Sequence, residues 1–204
     1  MIYLFSGPLE TGGFPKIIRE QLKIDLKNIK TIVLICTKPN NFEKNNIYKK
    51  RITRDLKEVC NPLDIILLDN RINKEDGINF LKNADMIYLL GGNPLSQLEY
   101  IKDNEYNNFI DKNKIIMGTS AGAMNLAKHS YYSKDDDLNE SFFYDGLGLT
   151  DVTVDPHFDL NNKEQVNEFK KYNKVHKIYG LDNDSAIKIF KDKVSFFGNI
   201  YKED

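Results

Sequence analysis

Short apolar runs recur along the first half of the chain, at residues 2–6, 31–36, 64–68, 85–90 and 114–117. Each is mostly Ile, Leu, Val, Tyr, Met or Phe and shows no polar alternation. A strand that is apolar on both faces has to be covered on both faces. The intervening stretches at 15–28, 41–59, 74–82 and 94–103 space their apolar residues three to five apart among charges, which suits helices that could supply the cover. Pro15 fits the first turn of such a helix. Strand–helix alternation of this kind predicts a doubly wound, mostly parallel α/β sheet.

After residue 127 the texture changes. Residues 133–140 (SKDDDLNE) read as an exposed acidic loop, 149–154 as a strand and 162–172 as a helix. Three short strands follow at 176–181, 185–190 and 194–197, punctuated by Asp, Asn and Gly in the manner of a meander or hairpin. With no repeat and no low-complexity linker, residues 1–204 read as one α/β domain with a small antiparallel C-terminal hairpin.

Charge excludes several function classes. Twenty-nine Lys and Arg against 30 Asp and Glu leave a formal net charge of −1, too little field to grip nucleic acid or an anionic membrane. No apolar run approaches the ~20 residues of a membrane span. The N-terminal residues lack the basic and long apolar regions of a secretory leader, so a reducing cytoplasm is expected. Cys36 and Cys60 cannot form a disulfide framework and read as core residues. Imidazole chemistry has only His129, His157 and His176 to draw on.

Chemistry concentrates at residues 114–127 (KIIMGTSAGAMNLA), where strand character runs into G-x-S-x-G and then into a helix-forming stretch. Glycines permit the sharp turn, Ser120 stands at its apex, and the following helix points free N–H groups at the same spot. The Ala121 N–H is the natural first oxyanion donor. The same geometry could merely cradle a phosphate or carboxylate, or pack a helix on a strand. A second glycine turn, Gly91-Gly92-Asn93, follows the 85–90 strand. If the two strands are neighbours, both loops open at the carboxyl edge where α/β sheets bind ligands. Gly92 could then supply a second N–H. Asn93 is a candidate for substrate contact and equally a helix cap. The favoured base is His157, on a loop just past a strand that Asp155-Pro156 should break. His129 is expected at the far end of the helix after Ser120, about 13 Å away at 1.5 Å per residue, and His176 in a polar approach to a strand.

These residues resemble peptidase family S51, the peptidase E (aspartyl dipeptidase) and cyanophycinase group. The likeness rests on LLGGN at 89–93, GTSAGA at 118–123, DPHF at 155–158 and GLDNDSAI at 180–187, in the family's order. The resemblance implies a class I glutamine-amidotransferase-like three-layer sandwich and a serine peptidase acting on small peptides, without metal or organic cofactor, as a monomer or homodimer. It makes Ser120 the nucleophile, His157 the base, and Gly92 and Ala121 the oxyanion hole. Peptidase E and cyanophycinase orient the histidine with a Glu; alignment sets Asn183 there, with Asp182 and Asp184 beside it, so the third member stays open. Lys163 stands in the segment where peptidase E has an arginine-containing stretch, which argues against aspartyl specificity because the bidentate fork is lost. Asp135 could bind a substrate amine or be a solvated charge. An esterase or amidase on the same site, or a non-catalytic anion-binding module, is the alternative.

Overall fold

The computed structural model describes residues 1–7, 13–134 and 138–203. The chain alternates as the apolar pattern predicts: β1 (Ile2–Phe5), α1 (Lys16–Asp25), β2 (Thr31–Ile35), α2 (Phe42–Leu56), β3 (Asp64–Leu68), α3 (Lys74–Asn83), β4 (Met86–Leu89), α4 (Pro94–Asp103), β5 (Ile115–Thr119) and α5 (Ala121–Leu126). Then come β6 (His129–Tyr132), β7 (Phe142–Asp145), β8 (Thr153–Pro156), α6 (Lys163–Asn173), β9 (Ile178–Leu181), β10 (Ala186–Phe190), β11 (Lys193–Phe197) and β12 (Ile200–Tyr201). Asparagines mark the helix starts. The side chains of Asn41, Asn73, Asn93 and Asn162 each accept a backbone N–H from the first turn of α2, α3, α4 and α6. Each such cap is worth about 1 kcal/mol.

The central sheet has the order β11-β10-β1-β5-β4-β2-β3. Its five strands from β1 to β3 are parallel, while β10 and β11 are antiparallel additions beside β1. Helices cover both faces, giving a three-layer α/β sandwich. The core explains the apolar runs: β1, β4 and nearly all of β2 are buried along their length.

Three expectations need correction. The strand expected at 149–154 lies at Thr153–Pro156, so Asp155-Pro156 continues a strand rather than breaking one. The reason is that β8 is the edge of a second sheet, ordered β12-β9-β8, where proline's missing N–H deprives no neighbour. The expected antiparallel C-terminal hairpin is present as β10 and β11, but the three C-terminal strands do not form one meander. Strand β9 pairs parallel with β8, while β10 and β11 extend the central sheet. Finally, α5 stops at Leu126, and His129 begins β6, which pairs with β7 on either side of the acidic loop.

Candidate active site

Three adjacent strands of the central sheet, β4, β5 and β1, end together. Their registers set Leu89 against Gly118 and Phe5 against Thr119. The segments that follow, Gly91-Gly92, Ser120 and Ser6-Gly7, therefore share one carboxyl edge, as open α/β sheets require of a ligand site.

Ser120 sits between β5 and α5 at φ 52° and ψ −119°, a region that costs an L-residue on the order of 1–3 kcal/mol. Neighbouring bonds hold it there: its N–H donates to the Phe5 carbonyl at 2.9 Å, and its carbonyl accepts from Met124 at 3.0 Å. The motif glycines allow close packing. A Cβ on Gly118 would lie 2.5 Å from the Gly122 carbonyl oxygen, and one on Gly122 would lie 2.1 Å from that of Leu89. Only hydrogen at these positions lets α5 press onto β4 and β5.

His157 follows β8, and Asn183 lies two residues past β9. Because the two strands are parallel with Pro156 opposite Leu181, both residues emerge at the same end. A buried serine ties this small sheet to the central one. Ser6 Oγ donates to the Leu181 carbonyl at 2.9 Å and accepts the His157 N–H at 2.7 Å. Phe158 anchors the other side, packing 4.8 Å (centroid to centroid) from Phe169 and 5.2 Å from Tyr201. Gly7 makes room for the imidazole: a Cβ there would meet His157 Cε1 at 2.3 Å. Sequence reasoning misses Ser6 and Gly7, although the Ser-Gly pair at the end of the first apolar run is the available signal.

These constraints bring His157 Nε2 to 2.9 Å from Ser120 Oγ and His157 Nδ1 to 2.8 Å from Asn183 Oδ1. With the amide oxygen facing it, Nδ1 carries the ring proton and Nε2 turns its lone pair toward the serine hydroxyl. This is the tautomer a general base needs. Neither neighbouring carboxylate takes the Asn183 position: Asp182 Oδ2 accepts from Asn199 at 3.4 Å, and Asp184 is exposed at φ 69°. His129 and His176 stack edge-on at 5.2 Å, with His129 Nδ1 3.6 Å from Asp145, apart from the Ser120–His157 pair.

The Ala121 N–H opens α5 and has no intrahelical acceptor. Gly92, which lines the same cavity as Ala121, has φ 137°, and a Cβ there would strike Thr37 Oγ1 at 2.2 Å. Gln97, fully buried, donates to the Leu90 carbonyl at 3.0 Å and so steadies the turn that carries Gly92. Asn93 accepts the Ser96 N–H at 3.0 Å and thus caps α4.

Two cavities meet at Ser120 and His157. One, of about 310 Å³, is lined by Phe5, Phe14, Ile52 and Leu90 together with Arg51 and Asp55. The other, of about 650 Å³, is bounded by Tyr132, Ser133, Lys134, Glu164 and Glu168. In the second, the Lys134 ammonium lies 2.6 Å from Glu164; the pairing raises the lysine's pKa and lowers the glutamate's. Lys163 is exposed and lines neither cavity, and Asp135 lies outside the described residues. Asp155, two residues before His157, is 1% exposed. Its Oδ1 accepts from Ser133 at 2.8 Å and its Oδ2 has no partner among the described residues, so burial pushes the carboxyl up to about 7. Among the described residues no cluster of His, Cys, Asp and Glu is arranged to hold a metal ion, and no helix is long and apolar enough to cross a membrane.

The model of peptidase family S51 matches residues 5–197 of the chain. No curated protein matches it in sequence. The fold is similar to the crystal structure of a "Putative Peptidase E Protein" from Listeria monocytogenes EGD-e. That comparison has a TM-score of 0.66 and 20% identity and covers 96% of each chain. It is also similar to a peptidase from an acI-B1 Actinobacterium, with a TM-score of 0.58 and 18% identity, covering 99% of this chain and 87% of that one.

Proposed function

The chain belongs to peptidase family S51, and we propose that it is a serine-type peptidase that cleaves small peptides through an acyl-enzyme. The observation that carries this reading is the relay Ser120 Oγ–His157 Nε2–Asn183, with hydrogen bonds of 2.9 and 2.8 Å. Ser120 Oγ attacks the scissile carbonyl while His157 Nε2 takes its proton. The Gly92 and Ala121 N–H groups receive the oxyanion; one such donor is typically worth about 10²–10³ in rate. On collapse, the C–N bond breaks and the imidazolium returns the proton to the leaving amine. Water then attacks the ester, giving up a proton to His157, and Ser120 is regenerated. Asn183 holds the ring and its tautomer by hydrogen bonding and supplies no countercharge. With Lys163 outside both cavities, nothing on α6 offers a fork for an aspartyl side chain, so strict Asp-X specificity is not part of the proposal. Free thiols at Cys36 and Cys60 suit work in a reducing cytoplasm.

A fluorophosphonate probe tests the reading. The wild type should label, Ser120→Ala should not, and His157→Ala should label far more slowly. A wild type that stays unlabelled beside a reactive control hydrolase refutes the nucleophile assignment. Labelling with turnover of esters but of no dipeptide would make the protein an esterase rather than a peptidase.

A further inference from the structure

The two cavities that meet at Ser120 differ in charge, and the difference lies in side chains that the acyl-transfer step does not use. In the smaller cavity the side chain of Asp55 is 7% exposed and already has a partner, because Arg54 donates Nε and Nη2 to Oδ1 at 3.0 and 2.9 Å. Arg51, one turn earlier on α2, forms a longer ion pair with the same carboxylate, 3.9 Å from Asp55 Oδ2 and beyond hydrogen-bond reach, and makes no hydrogen bond to a described residue. Its guanidinium side chain is 34% exposed, with its planar set of donors unspent beside Phe5, Phe14, Ile52 and Leu90. A cation against apolar walls calls for an anion, and a carboxylate matches the fork in two parallel bonds.

Whereas Arg51 and Asp55 balance in the smaller cavity, the larger one carries more acidic than basic side chains. Its charged lining is Lys134 against Glu164 and Glu168, and Lys134 is already held by Glu164. Among the described residues Glu168 pairs with Lys171, at 3.9 Å and outside the lining. Such a wall repels a carboxylate and attracts an ammonium group.

Resting on the peptidase reading of Ser120, we infer that the smaller cavity is a carboxylate subsite anchored by Arg51, which receives a carboxylate of a short peptide while the peptide's amino group faces Glu164 and Glu168. The two cavities thereby orient the substrate across the Ser120–His157 pair. The carboxylate comes from the peptide's free C-terminus or from an acidic side chain, and both present the same group to the guanidinium.

Calorimetric titration of the Ser120→Ala protein tests this without turnover. The ligands are Leu-Leu, which has only the terminal carboxylate, Asp-Leu-amide, which has only the side-chain one, and Leu-Leu-amide, which has neither. A carboxylate should tighten binding about ten- to hundredfold over Leu-Leu-amide, in the range of a charged hydrogen-bonded contact. Adding Arg51→Gln should shrink the ratio below about threefold, and Arg51→Lys should leave an intermediate ratio, because charge survives without the fork. Whichever of Leu-Leu and Asp-Leu-amide shows the Arg51-dependent gain identifies the source. Equal binding of all three ligands, or a preference that Arg51→Gln leaves intact, overturns the subsite, as does failure of any peptide to bind. Fluorophosphonate labelling of the wild type separates the two readings. A protein that labels but lacks the preference keeps its nucleophile and loses the subsite; one that shows the preference without labelling does the reverse.

Discussion

Replacing Asn183 by Asp should make the enzyme faster. The two side chains share a shape, so the oxygen 2.8 Å from His157 Nδ1 can stay in place. What changes is the charge it presents when His157 becomes imidazolium in the transition state. Two unit charges about 4 Å apart attract by ~1 kcal/mol in water and ~4 kcal/mol at an effective dielectric constant of 20. Asn183 and His157 are both exposed, which favours the lower end of that range. A gain of about 1–2 kcal/mol corresponds to a roughly 5–30-fold increase in the acylation rate. Asn183→Ala loses a neutral hydrogen bond worth about 1 kcal/mol, a fall of roughly fivefold. His157→Ala removes the base itself, typically about 10²–10⁴. The assay is the pseudo-first-order rate of fluorophosphonate labelling, followed across pH for the wild type and the three variants. The expected order of rates is Asp, Asn, Ala at 183, then His157→Ala. An Asn183→Asp protein that labels no faster than wild type would refute the argument that the site lacks a countercharge. An Asn183→Ala loss as large as that of His157→Ala would refute the reading of Asn183 as a weak orienter.

Burial raises the Asp155 carboxyl to about 7. Between its ordinary value and that one the folded state holds a proton that the unfolded state has lost. Stability therefore falls as pH rises from about 4 to about 7 and is flat beyond. Asp155→Asn should remove this dependence, opening a stability gap of roughly 3–4 kcal/mol between the two proteins by pH 7. Urea denaturation at pH 4, 7 and 8 reads it, and parallel curves would contradict the buried-acid argument. Gly7→Ala puts a methyl group 2.3 Å from His157 Cε1, so the ring has to shift by about 1 Å, a displacement that costs on the order of 10²-fold in rate. Labelling should slow accordingly while thermal melting stays cooperative; unchanged labelling would mean the ring is not confined by Gly7.

Much of the molecule is legible in local sequence because periodicity and turn chemistry are local. Unbroken apolar runs demanded strands covered on both faces, asparagines marked where helices begin, and G-x-S-x-G between a strand and a helix identified the turn on which Ser120 stands. The position of His157 just beyond a strand is also readable, although that strand lies at Thr153–Pro156 rather than at 149–154. An internal Asp-Pro looks like a break until β8 is known to be an edge. The partner of His157 had no local signal. Asn183, Asp182 and Asp184 are equivalent candidates along the chain, and Asn183 meets the imidazole because β8 and β9 run parallel in a register that ends both strands together. The same holds for Ser6, which lies 151 residues from the His157 N–H it accepts. It holds too for Arg51, which lines the same cavity as Ser120 although the two lie far apart along the chain. Local residue patterns carry the strand–helix alternation and the turn on which Ser120 stands. What faces His157 and how charge divides between the two cavities come from the packed fold, because side-chain meetings across strands depend on non-local register, which no single segment encodes.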